Sequence, residues 1–129
     1  MATGFPASTG DVLSAAMFNE LVQFTINTQS GTTYTLASTD QYQVLVLTSN
    51  AGTKTVSIPT DATTNFGIGT AITILNTGAG LLTINAVTPG TTTVTSSGAT
   101  SASPTVAQHN AATCIKTAAN TWRVVGSIA

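Results

Sequence analysis

The chain has 129 residues, three basic against four acidic, a net charge of −1, and only 5% charged side chains, against roughly a quarter in ordinary globular proteins. So few cations cannot neutralise a phosphate backbone, which argues against nucleic acid as a partner. No apolar run approaches the roughly 18 residues a bilayer span needs, so no membrane partner is expected, and the N-terminus lacks a basic region leading into an apolar secretory signal. The length fits one domain able to bury its own core. Hydrophobic residues make up 42% of the chain, so low charge here signals a well-folded protein with a neutral surface rather than disorder. Threonine is the commonest residue, about a fifth of the chain. A surface that poor in charge has little to keep copies apart, which points to an assembly.

In chain order, residues 1–24 form an N-terminal arm with a short helix, and residues 25–129 form a single β domain. The arm MATGFPASTG offers Phe5 and Pro6 as its docking features. Residues 11–24 carry the one helical signal. Ser14 is the N-cap, Leu13 can staple onto Phe18, and Met17, Phe18, Leu21 and Val22 make one apolar stripe. A helix of about two turns is marginal alone in water, so the stripe must be buried against the β domain or another chain.

From Phe24 onward the period becomes two. Phe24, Ile26 and Thr28 alternate with polar neighbours, residues 32–36 form a second run, and residues 37–41 read as a turn in which Asp40 is a usual turn residue. Residues 44–47, VLVL, are a continuous apolar run and a candidate central strand. Val56 and Ile58, Ile72 and Ile74, and Leu82 and Ile84 each alternate with hydroxyl residues, so each run presents one apolar and one threonine-rich face. Pro59 ends the first of these, Gly67 and Gly69 mark a bend into the second, and residues 76–80, NTGAG, read as a hairpin turn into the third. A strand over 91–95, a Ser/Ala/Gly/Thr loop over 96–103, and a closing hairpin of 112–118 with 121–128 complete the chain. About eight or nine short antiparallel strands spaced by turns predict an all-β fold, a sandwich or barrel. Trp122 and Val124 share one face of the last strand and are expected in the core.

No constellation of catalytic or metal-binding groups emerges. His109 is the only histidine, in a polar stretch, and Cys114 is alone, which excludes an internal disulfide and a multi-cysteine zinc site. Cys114 reads as a small hydrophobe on a strand. Asp11 and Glu20 fall in the helical segment and Asp40 and Asp61 in turns, with nothing to set two of them across a substrate. The glycine pairs 67/69 and 78/80 lack the lysine and helix start of a phosphate loop. The expectation is a non-enzymatic protein with no cofactor, no metal and no small-molecule substrate. Sugar binding would want aromatic platforms, and Tyr34, Tyr42, Trp122 and four phenylalanines are few.

Several stretches resemble structural proteins of tailed bacteriophages. Residues 10–21, GDVLSAAMFNEL, look like a lead-in near the starts of phage fibre and decoration proteins. VSIP at 56–59, IGTAITI at 68–74, GLLTI at 80–84 and NTWRVVG at 120–126 are similar to the small β domains of that group. The resemblance implies a virion protein, assembled in the host bacterial cytoplasm and often trimeric, on the capsid surface or in the tail. The compact size and the absence of long heptads or shaft repeats favour a capsid decoration or cement protein, partnered by the major capsid protein. A tail-fibre or tail-adaptor domain partnered by tail proteins, and touching a host glycan, is the alternative. In either case Phe5, Met17, Phe18 and Leu21 are the expected capsid or subunit contacts.

Overall fold

The computed structural model describes Ala15 and residues 23–129. Ala15 is helical, and the rest of the expected N-terminal helix lies outside the described residues. The described chain is mostly β, with ten strands in two mixed sheets and one 3-10 turn, Ser38–Gln41. The strands are β1 (Thr25–Gln29), β2 (Thr33–Thr35), β3 (Val44–Thr48), β4 (Lys54–Ile58), β5 (Ala71–Asn76), β6 (Leu82–Ala86), β7 (Thr93–Ser96), β8 (Thr105–Val106), β9 (Ala111–Ala118) and β10 (Thr121–Gly126).

The chain alternates between the sheets. β1, β3 and β5 lie side by side in a six-stranded sheet of order β1-β3-β5-β9-β10-β7, while β2, β4 and β6 do the same in a four-stranded sheet of order β2-β4-β6-β8. Successive strands therefore wind as a flattened coil, each turn adding one strand to each sheet. Neighbours within this coil run parallel and in register: Ile26 sits beside Leu45, Leu45 beside Thr73, and Thr55 between Thr33 and Thr83. Parallel neighbours always need a crossover; here the strand in the opposite sheet supplies it. β8 and β9 then pair antiparallel with β6 and β5, β10 folds back on β9, and β7 adds parallel to β10.

Register makes like positions stack. Val46, Ile74 and Ala112 form one inward row, Ile72, Cys114 and Val124 another, and Val56 and Ile84 face them from the smaller sheet. These residues belong to one buried cluster fed by both sheets, with Leu36, Phe66, Val106 and Trp122. Each fully buried aliphatic or phenylalanine side chain contributes roughly 1.5–3 kcal/mol, so this cluster carries the fold. Trp122 and Phe66 meet edge to face at 5.5 Å between ring centroids, and Trp122 and Val124 are both buried as expected.

Two expectations need correction. The strands are not uniformly antiparallel, since most pairings are parallel; period-two alternation reports which face is buried and is silent on strand direction. Residues 76–80 do not close a hairpin, because β5 and β6 belong to different sheets. Their glycines serve close approach instead: a Cβ on Gly80 would overlap the Gly52 carbonyl group, and one on Gly78 the Asn50 carbonyl. Asp40 does lie in a turn, the 3-10 turn Ser38–Gln41, and it is buried there at 1% exposure. The closing hairpin is as expected, turning at Asn120 with φ 48°, a left-handed conformation that asparagine tolerates better than most residues.

Candidate functional site: a nearly uncharged surface with two unlike faces

The groups that could do chemistry are scattered or tied up. His109 is exposed in a turn at φ 68°, its backbone N–H donating to the Asn76 carbonyl at 2.7 Å. Cys114 is buried, and desolvation pushes its thiol up to about 12, which makes it a packing residue rather than a nucleophile. Among the described residues no three metal-ligating side chains come together.

The most developed polar cluster closes the first turn of the coil. Asn27 on β1 and Tyr34 on β2 point inward and meet Asp40 from the 3-10 turn. The Tyr34 hydroxyl donates to Asp40 Oδ2 at 2.6 Å, Asn27 Nδ2 donates to Asp40 Oδ1 at 2.8 Å, and the Ala37 backbone N–H donates to Oδ2 at 2.8 Å. Gln29 Nε2 donates in turn to Asn27 Oδ1 at 2.7 Å. Burial first, then the hydrogen bond and charge of Asp40, push the Tyr34 phenol up to about 12. A cleft of about 360 Å³ borders this cluster. Its carboxylate already accepts three hydrogen bonds, and among the described residues lining the cleft there is no second carboxylate, histidine or lysine. Chemically the arrangement is a polar lock that joins the first strands of the two sheets where their inward faces carry Asn27 and Tyr34 instead of aliphatic side chains.

Two of the three cations are also internal. Lys54 is 3% exposed, and its Nζ donates to the carbonyls of Asn50 at 2.6 Å, Gly80 at 2.8 Å and Gly52 at 3.4 Å. Desolvation holds its pKa below the usual lysine value. Lys116 is 1% exposed and donates to Asp61 Oδ1 at 2.8 Å, Asn65 Oδ1 at 3.1 Å and the Phe66 carbonyl at 2.6 Å. Its hydrogen bond in turn holds the Asp61 carboxyl below the ordinary value, with the Asn120 N–H adding to the effect against partial burial. Both lysines tie loops to strand ends. Arg123 is the one cation exposed among the described residues.

Apart from Arg123 and the half-buried Asp61, the surface formed by the described residues is neutral, and its two broad faces differ. Outward positions of the four-stranded sheet bear Thr33, Thr55, Thr83 and Thr105 in one register row, and Thr35, Ser57 and Asn85 in the next. The six-stranded sheet turns out Ile26, Leu45, Leu47, Leu75, Ile115 and Val125 among threonines, and Thr73 and Thr113 hydroxyls bond across it at 2.9 Å. Phe24 and Ile26 at its β1 edge are 59% and 51% exposed.

The expected contact residues Phe5, Met17, Phe18 and Leu21 lie outside the described residues. Sequence reasoning missed the polar lock and both buried lysines. Lys54 and Lys116 did carry a signal, since each occupies an inward position of the alternating pattern in its run, in phase with Val56 and Cys114. No family model, curated protein or solved structure matches this chain.

Proposed function

We propose that this chain is a non-enzymatic structural protein of a tailed-bacteriophage virion, a decoration or cement protein that binds the outside of the head and stabilises it. The observation that carries this reading is the bare surface. Of the charged side chains described, Asp40, Lys54 and Lys116 are buried, Asp61 is half-buried against Lys116, and Arg123 is exposed. Such a surface packs against protein without stripping water from ions, a cost that charged surfaces must meet, whereas a free monomer normally keeps more charge for colloidal stability. The two sheets act as the walls of a β-sandwich, rigid enough to clamp adjoining capsid subunits. The protein works as a closed homo-oligomer, a trimer by analogy with the phage proteins it resembles, with the major capsid protein as partner and its N-terminal segment toward the shell or a neighbouring subunit.

The test is to incubate the purified chain with phage heads that lack it, then measure co-sedimentation and the temperature at which the heads rupture. Saturable binding at a copy number set by the capsid lattice, with a raised rupture temperature, is the expected outcome. Binding confined to tails, or none to either structure, would overturn the reading.

A further inference from the structure

The outer face of the six-stranded sheet is rich in apolar side chains, with Ile26 and Val125 exposed and Leu45, Leu47 and Leu75 half-buried. Ile26, Leu45, Thr73, Thr113 and Val125 form one cross-strand row, and Thr28, Leu47, Leu75 and Ala111 the next. From β1 to β9 the patch spans three strand spacings, about 14 Å, and its two rows lie roughly 7 Å apart. That part of the face, which leaves out Ile115 and Val125, has a footprint on the order of 200 Å², below the roughly 800 Å² per partner of a stable protein–protein interface. A second copy stacked face to face is therefore a poor fit. One face of a nine-residue helix, about 14 Å long, matches it.

The sequence offers such a helix at the right place. Residues 14–22 carry the stripe Met17, Phe18, Leu21 and Val22 and directly precede, in sequence, Gln23, Phe24 and the edge strand of this same sheet. The chain bends at Gln23, and only Phe24 separates that bend from β1. Ala15, ahead of the bend, is helical. A two-residue connection into an edge strand is an ordinary length for joining a helix to the sheet it covers. We infer that the stripe of residues 14–22 docks in cis across Leu45, Leu47 and Leu75, covering the outer face of its own six-stranded sheet. This deepens the proposed reading by dividing the N-terminal segment. Met17, Phe18 and Leu21 are used within the subunit, and the arm with Phe5 is left for the shell.

The experiment uses the full chain without phage particles, so its failure is separate from failure of the virion reading. Leu47→Cys and Leu75→Cys are introduced singly, with Thr83→Cys on the opposite face as control, and labelled with a thiol reagent. Buried Cys114 labels only if the protein unfolds and so reports folding in the same sample. Adding Phe18→Asp should raise labelling at positions 47 and 75 by about tenfold or more, as expected when a covering element is released, and leave position 83 unchanged. If Phe18→Asp exposes Cys114, Leu21→Ser is read by the same criteria. Equal labelling with and without the helix substitution overturns the inference. So does protection that weakens on dilution from about 100 to 1 µM, because mass action would then assign the helix to another copy.

Discussion

Trp122 offers the sharpest test of how the core is built. It is fully buried, stacked edge-on against Phe66, and placed beside Lys116 across the β9–β10 pair. Truncation to alanine of a buried tryptophan costs roughly 3–5 kcal/mol through lost transfer energy and an unfilled cavity. The edge-to-face pair adds about 0.5–1.5 kcal/mol. One feature works in the opposite direction: Trp122 Nε1 is buried with no hydrogen-bond partner among the described residues. Removing an orphaned donor returns part of a penalty of about 1–3 kcal/mol. We therefore expect Trp122→Ala to cost about 4 kcal/mol, a large share of the roughly 5–15 kcal/mol that holds a domain together. Trp122→Phe keeps an aromatic ring and removes the orphaned N–H, so it should cost only about 1–2 kcal/mol. Urea unfolding followed by far-UV circular dichroism measures both, because the protein's only tryptophan is lost in each variant. A loss below about 1.5 kcal/mol for the alanine variant would refute a core built around this ring. Equal losses for the two variants would refute the role given to the aromatic ring.

Gly80→Ala should destabilise by at least about 3 kcal/mol or prevent folding, since its Cβ would strike the Gly52 backbone and no side-chain rotation relieves a backbone clash; soluble yield and thermal melting decide it, and a near-native melt refutes the close approach. The Asp61 carboxyl is held below its usual value of 3.8 by Lys116, so the folded state binds that proton less tightly than the unfolded chain. The resulting stability is full above about pH 4 and lost as pH falls through the folded-state value; Lys116→Met should flatten the acid-side slope of melting temperature against pH and cost about 2–4 kcal/mol at neutral pH, less than for a fully enclosed pair because Asp61 is 20% exposed. Tyr34 should titrate near 12 by phenolate absorbance, a transition that Tyr34→Phe removes. Because the folded state holds that proton more tightly, the linked stability is present below pH 10 and declines as pH rises from 10 toward 12; a Tyr34 transition at its ordinary value would break the proposed lock with Asp40.

Much of the β domain could be read from residue order alone. Alternation over 54–58, 71–76 and 82–86 reflects the two faces of each strand, so the buried identities of Val56, Ile58, Ile72, Ile74, Leu82 and Ile84 follow from local pattern. The same logic placed Cys114, Trp122 and Val124 inside, and Asn120 at the closing turn. Partner choice was decided only by the tertiary structure. A strand with one apolar face satisfies its backbone equally with a parallel or an antiparallel neighbour, and the coil emerges because successive strands enter opposite sheets. That is why residues 76–80 looked like a hairpin and instead cross between sheets. The fate of the few charges was equally non-local: Lys116 is paired with Asp61, 55 positions away in the chain, and Lys54 donates a hydrogen bond to the carbonyl of Gly80, 26 away. Burial of an ion depends on whether distant groups arrive to replace its water, and that information exists only once the chain has folded.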